Sequence, residues 1–320
     1  VLPQLLKPGS IIPMTSEESS WIIICIEIGS ALTSLPAGLV IDKLGRKSTL
    51  LLCSIPYAAS WLLTIFTRSV TFLFVSRLIQ GCCMGFVACA SPIYISEISQ
   101  PSIRGMLNTM TMSVWFIGLI MAFVIGSYTS YDTTAYISLF LSVAYVIPLY
   151  FQAESPYYYV LKHRKADAIK SLSYYRHAHP SDLKDEIKAI EDYVKDEGSN
   201  RSSFSSLFTD PVSFRCLLIM QILSFTTIFT GITATYVYAT EIFSKTSGGS
   251  ISPEEYAIIM SVLLLIVNLI TSYVMDKIGR RPLVLVSCIG CFFSNLFAAA
   301  FFYVTLKTDI DTSSFHWVPL

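Results

Sequence analysis

Eight runs of roughly 20 apolar residues dominate this chain, and runs of that length fit the hydrocarbon layer of a lipid bilayer. A backbone inside that layer must satisfy its own N–H and C=O groups, so each run is predicted as a helix. The runs lie near Trp21–Ile41, Thr49–Phe66, Thr71–Ser96, Met106–Ser127, Ala135–Phe151, Phe214–Phe243, Tyr256–Met275 and Leu283–Thr305. The spans within 71–96 and 214–243 are expected to be shorter than the runs that contain them. Only 14% of residues are charged and mean hydropathy is +0.60. A soluble domain carries about 25% charged residues, so the expected fold class is all-α, a multi-pass transmembrane helix bundle whose surface faces lipid.

One charged hairpin occurs twice. Asp42-Lys43-Leu44-Gly45-Arg46-Lys47 and Asp276-Lys277-Ile278-Gly279-Arg280-Arg281 begin 234 residues apart, each between two apolar runs. A plain topology signal needs only basic residues. Each copy adds a Gly that permits a tight turn and an Asp able to pair with the basic cluster. Duplication of this kind points to two related halves, the architecture of many secondary transporters.

The net charge of zero disfavours a nucleic-acid partner. Seven of the eight cysteines lie within apolar runs and Cys216 near the start of one, which is no disulfide framework. Cys288-x-x-Cys291 stands alone in a predicted membrane helix, and a structural zinc site takes four ligands. No metal site, cofactor or catalytic cluster is expected, and the chain does not read as an enzyme.

Placing the loops near 42–48, 97–105, 154–213 and 276–282 on one side gives that side 17 of the 22 Lys and Arg, counting Arg215 at its edge. Positively charged loops stay inside, so that side is predicted to be cytoplasmic. Asn200-Arg201-Ser202 has the form of a glycosylation acceptor, but on that side it should stay unmodified. The expected division is a first membrane half over 1–153, a helical cytoplasmic linker over 154–213 and a second half over 214–320. In the linker, Ser155 before Pro156 is a helix start, Ser as cap and Pro in the first turn. Pro180 opens a second helix, along which Leu183, Ile187, Ile190 and Val194 recur at helical spacing. That apolar face is expected to dock beneath the bundle.

Several motifs together resemble the sugar porter family of the major facilitator superfamily over almost the whole chain. Gly38-x-x-x-Asp42-Lys43-x-Gly45-Arg46-Lys47 resembles the loop between that family's second and third helices. Arg77-x-x-x-Gly81, Pro92-x-Tyr94-x-x-Glu97 with Arg104-Gly105, and Glu154-Ser155-Pro156 resemble its fourth helix, the junction after it and the segment after the sixth. Asp276 to Arg281 matches the loop between its eighth and ninth helices, and Glu17-Glu18 before Ser20-Trp21 is similar to insect facilitated trehalose transporters. The resemblance implies a plasma-membrane carrier that moves a sugar such as trehalose or glucose by alternating access. On this alignment the chain starts at the end of the first helix and stops as the tenth begins, so it is expected not to transport by itself. It also implies that Asp42, Arg46, Lys47, Glu97, Arg104, Glu154, Asp276, Arg280 and Arg281 form a cytoplasmic gate.

The family's sugar-binding amides are mostly replaced. Its fifth-helix Gln falls at Met112, its seventh-helix amide motif reads Thr227 to Thr233, and its eighth-helix amide falls at Leu264. Thr227, Thr230, Thr233, Tyr238 and Asn268 are the substrate-binding candidates that remain, with ordinary helix packing as the alternative use of such residues. Because several amides are missing, a carrier for another small polar solute and a non-transporting sugar sensor stay open beside a sugar facilitator. Junction contacts are reduced too, since Ala153 and Tyr157 replace a Pro and an Arg.

Glu27 lies about 9 Å inside Trp21 by helical rise, and Arg77 starts at a similar depth. Ionisable residues inside a bilayer are costly and usually paired. An intramembrane ion pair between Glu27 and Arg77, breakable by a proton, is therefore expected, and would open the way to proton-coupled transport. A permanently protonated Glu or a purely structural pair is the alternative.

Overall fold

The computed structural model describes residues 5, 12–199, 206–231 and 252–307. Among them the chain is helical: α1 (Ser16–Leu44), α2 (Arg46–Phe66), α3 (Val70–Ile98), α4 (Arg104–Tyr128), α5 (Tyr131–Ala144) and α6 (Val146–Phe151) come first. Short helices α7 (Pro156–Leu161), α8 (Lys165–Arg176), α9 (Lys184–Ser199) and α10 (Ser206–Thr209) follow, then α11 (Pro211–Phe229), α12 (Pro253–Ile278) and α13 (Arg280–Lys307). Among the described residues, eight helical spans are long and apolar enough to cross a membrane, with α5 and α6 counted as one.

Local chemistry explains most boundaries. Thr15 and Glu18 form a reciprocal cap on α1: the Thr15 hydroxyl accepts from the Glu18 N–H at 3.2 Å, and the Glu18 carboxylate from the Thr15 N–H at 2.8 Å. The fifth span breaks at Tyr145 because Pro148 has no N–H for the Ala144 carbonyl. The third span, expected to be shorter than the run 71–96, is instead longer than it, 29 residues as one helix. Its ends project beyond the apolar run and carry Glu97 to the charged end.

The chain divides into two compact units, one of Val1–Thr111 with Ile125–Asn200 and the other of Met112–Val124 with Arg201–Leu320. In the first, α1 and α3 run side by side in backbone contact. A Cβ on Gly81 would overlap the Ile26 carbonyl, one on Gly29 the Leu78 carbonyl, and one on Gly85 the Thr33 hydroxyl. Thr33 uses the close approach to donate across the seam to the Cys82 carbonyl at 3.0 Å. Small residues at such interfaces replace the hydrophobic drive that lipid removes. A second polar tie joins α2 to α3, where Ser76 donates to the Ser60 carbonyl at 2.8 Å and lies 2.7 Å from the Thr64 hydroxyl. One apolar cluster, with Ala37, Ile41, Leu50, Ala90, Tyr94 and Leu149 at its centre, fills the space beneath the charged end.

Helices α7 to α9 belong to the first unit, and the apolar face of α9 packs against α8 and α7 within the linker, instead of against the membrane bundle as expected from the sequence. Leu183, Ile187 and Ile190 are buried against Ala168 and Leu172 of α8, with Val194 partly buried beside them. Ser155 caps α7 by accepting from the Tyr157 N–H at 3.1 Å, with Pro156 in the first turn. Pro180 begins a 3-10 turn that leads into α9.

In the second unit, Asp210 caps α11 and Ser252 with Glu255 caps α12. The Ser213 hydroxyl and N–H bonded to Asp210 hold its carboxyl below the usual range. Phe123 of α4 packs with Tyr256 and Met260 around the fully buried Ala257 of α12.

Replacing Gly81 by Val should destabilise the first unit by about 1–3 kcal/mol, the usual scale of overpacking, whereas Gly38→Ala, where the added Cβ meets nothing within 4 Å, should be neutral. Thermal unfolding in detergent compares the two; equal behaviour would remove the seam from the account of stability.

Candidate functional site

Helix α2 begins at a glycine, which has no side chain to cap the four free N–H groups of its first turn. Glu154, 108 residues on, supplies the acceptor. Its Oε1 accepts from the backbone N–H of Arg46 at 3.0 Å, Lys47 at 2.9 Å and Ser155 at 2.9 Å. Its Oε2 accepts from the Ser48 N–H at 3.1 Å and the Ser48 hydroxyl at 3.3 Å. A carboxylate here meets both the unpaired donors and the positive end of the helix dipole. Gly45 is needed twice over: its φ is +106°, and a Cβ would lie 2.5 Å from Glu154 Oε2.

The side chain of Arg46 turns the other way, to Glu97 at the end of α3. Nε donates to both Glu97 oxygens, at 2.9 and 3.2 Å, and Nη2 donates to Oε1 at 3.0 Å. Both side chains are largely buried, 9% and 13% exposed. Nη1 lies 3.1 Å from Asp42 Oδ1 but out of hydrogen-bonding alignment, and Asp42 is half exposed, so this third contact contributes little. Glu97 also accepts from the Ser155 hydroxyl, which ties the residue next to Glu154 into the same cluster. Arg46 is thus held by one acid through its backbone and by another through its side chain.

Neighbouring contacts fasten the segment that carries Glu154. Lys47 donates its ammonium to the Tyr150 and Gln152 carbonyls at 2.8 and 2.6 Å, closing the end of α6. The Ala153 carbonyl lies 2.6 Å from the phenols of both Tyr94 and Tyr175, which are 2.8 Å apart. Burial pushes the Tyr175 phenol up from its usual value, so it stays protonated and able to donate. Arg176 links Glu186 of α9 at 2.8 Å and the Ile98 carbonyl of α3 at 2.8 Å. Tyr175 and Arg176 were not singled out from the sequence, and helical spacing on α8 offers no cue to partners this distant.

Of the nine expected gate residues, Asp42, Arg46, Lys47, Glu97 and Glu154 meet here. Arg104 does not. Its Nε is buried without a hydrogen-bond partner, and no ion pair to it is found among the described residues. The start of α4 and the end of α3 are separated by a turn that carries Arg104 away from the cluster. In the second hairpin, Gly279 also has positive φ, +87°, but a Cβ there would meet nothing within 4 Å. Lys277 donates to the Tyr273 phenol at 2.7 Å. Arg281 is exposed with no ion pair among the described residues, and the side chains of Asp276 and Arg280 lie outside them.

The expected Glu27–Arg77 pair is not formed. Arg77 donates to Gln80 Oε1 at 2.7 Å and lies 5.6 Å over the Trp61 ring, while Glu27 is exposed. Depth alone suggested the pair. Contact between Ile26 and Gly81 puts Glu27 about five residues, or about 7 Å, further along the seam than Arg77. Glu27 is also turned about 100° from the face that Ile26 presents to α3.

Among the substrate-binding candidates, Thr227 and Thr230 donate within their own helix, to Leu223 O at 3.0 Å and Thr227 O at 2.6 Å. Met112 is 53% exposed. Asn268 donates to the Ser113 hydroxyl of α4 at 2.8 Å, a partner one residue from Met112. Thr233 and Tyr238 lie outside the described residues.

A family profile described as "Sugar (and other) transporter" matches residues 8–316. The chain is 28% identical over 318 residues to the facilitated trehalose transporter Tret1 of Bombyx mori, covering 99% of this chain and 62% of the relative. It is 28% identical over 308 residues to Tret1 of Anopheles gambiae, covering 96% and 38%. It therefore spans less than two thirds of the length of either relative, 62% of one and 38% of the other. Among solved structures, the partially occluded inward-open xylose transporter XylE from E. coli superposes with TM-score 0.75 at 17% identity, over 99% of this chain and 76% of that one. The proton:xylose symporter XylE bound to 6-bromo-6-deoxy-D-glucose gives 0.76 at 20%, over 96% and 70%. These likenesses establish the major facilitator fold.

Arg46→Ala should destabilise the first unit by about 3–5 kcal/mol by stranding the buried Glu97 charge, and Arg46→Ala combined with Glu97→Ala should recover part of that loss. A double-mutant cycle by thermal unfolding reads the coupling, and strictly additive losses would mean the two side chains act separately.

Proposed function

The chain belongs to the sugar (and other) transporter family, and from that membership we propose that it serves facilitated transport of a sugar by alternating access. It is a multi-pass membrane protein. The matched relatives are transporters and not enzymes, and carriage between two aqueous sides requires no covalent step.

The observation that carries this reading is the Arg46–Glu97 pair with Glu154 beside it. Burying such charges is costly, and apolar packing would stabilise a static bundle more simply. A latch gives the expense a purpose, because it can be broken and remade. In this reading the cluster keeps the hairpin Asp42 to Lys47 fixed against α3 and α7, and opening of the charged end loosens it. The excess of Lys and Arg on that side favours the cytoplasm for it, and the plasma membrane is the proposed site of action. Trehalose is the first candidate substrate because the insect relatives bear that name, with glucose second.

Facilitation is favoured over proton coupling because Glu27 and Arg77 form no pair for a proton to break. Oocytes expressing the protein should show saturable uptake of labelled trehalose or glucose, equal at two external pH values. No uptake from protein proven to be at the surface would turn the assignment to another solute or to a sensor. Glu27→Gln should likewise take up sugar equally at the two pH values; pH-dependent wild-type uptake that this variant abolishes would restore the coupling role of Glu27.

A further inference from the structure

A groove of about 520 Å³ opens at the charged end of the first unit, walled by the start of α2, the end of α6, α7 and α8. Its level relative to lipid follows from those walls. Two membrane spans end here, and Phe151, the last residue of the fifth, is 70% exposed. Tyr150 beside it is exposed too, and exposed aromatic side chains at a span end belong at the headgroup level. From Ser48 on the groove wall, Leu52, Ile55 and Ala59 follow at steps of 4, 3 and 4, all of them exposed. They share one helix face, so an apolar track descends α2 from the groove. Ile147, four residues before Phe151, is likewise exposed and lies on a second track.

The polar groups of the groove favour an anion. Both of its carboxylates are already engaged, Glu154 by the first turn of α2 and Asp167 by the Arg164 Nε at 2.8 Å. Donors are left over. Lys47 spends two of its three ammonium N–H groups on the Tyr150 and Gln152 carbonyls and keeps the third. Lys170 is exposed and makes no ion pair among the described residues. The Tyr159 hydroxyl has no hydrogen bond among them either, and burial pushes that phenol up, so it keeps its proton. With Arg164 counted, three cations face two carboxylates.

We propose that this groove is a binding site for the headgroup of an anionic phospholipid. Lys170, Lys47 and the Tyr159 hydroxyl hold the phosphate, and the acyl chains lie on the apolar tracks. A soluble phosphate would meet the same donors and leave the tracks bare, so a lipid is the occupant that satisfies both. Anionic lipids are concentrated in the cytoplasmic leaflet, the side favoured for this end. The site needs only a multi-pass membrane protein and is independent of the solute carried.

Native mass spectrometry of the purified protein in detergent, with phosphatidylserine and phosphatidylcholine in equal amounts, tests the site. Wild type should retain one phosphatidylserine in preference to phosphatidylcholine. Lys170→Gln should cut that preference about fivefold, the scale of one basic residue near an anionic surface, and Lys170→Arg should keep it. Tyr159→Phe should also weaken it, whereas Lys188→Gln, on α9 outside the groove, should leave it unchanged. In thermal unfolding, phosphatidylserine should stabilise wild type more than Lys170→Gln, and inorganic phosphate should not reproduce the effect. Equal retention of the two lipids, or a preference that survives Lys170→Gln, would overturn the proposal. Equal stabilisation by inorganic phosphate would overturn the lipid assignment and make this a site for a soluble anion.

Discussion

One carboxylate, Glu154, sets the geometry of the charged end. It fills the donor-rich start of α2 from 108 residues away, so the first turn of α2 is capped by a residue that follows the fifth span. With α2 capped in this way, Arg46 leaves the helix at a fixed angle and reaches Glu97. The Ser155 hydroxyl then closes the circuit between the two acids. A charge network of this kind is cooperative in the strict sense, since each member orients the next. Removing any one acid leaves a buried cation or a row of bare N–H groups.

The two hairpin copies show how far repetition in sequence carries into structure. Both preserve the turn, because positive φ at Gly45 and Gly279 follows from the local chain alone. The surroundings differ. Gly45 is pressed against Glu154, and Gly279 has open space where a Cβ would go. Turn chemistry is inherited with the motif, whereas a tertiary partner has to be supplied by each half separately.

Much of the fold was legible because hydropathy, helical length and caps are local properties. The spans, the Ser155–Pro156 start of α7 and the buried stripe on α9 all follow from residues within a turn or two of one another. What the sequence withheld was the register between helices and direction around the helix axis. Glu27 lies about five residues beyond the level of Arg77 and on the wrong face, and Met112 is one residue from the position that touches α12. Partners such as Tyr94 with Tyr175, or Arg176 with the Ile98 carbonyl, depend on how separate elements converge, and no periodicity announces them. The break at Tyr145 was readable from Pro148, because a missing N–H acts on the carbonyl four residues earlier.

The glycine seam between α1 and α3 has a mechanical consequence. Packed helices can move by shear, sliding past one another on flexible side chains. Where Ile26 and Leu78 carbonyls lie directly against Gly81 and Gly29, no such lubricating layer exists. A slide of one residue would drive backbone into backbone, and the Thr33 hydroxyl is pinned to Cys82 across the gap. The pair therefore behaves as a single stiff beam, and any working motion of the first unit must turn it as a whole without bending or gliding it.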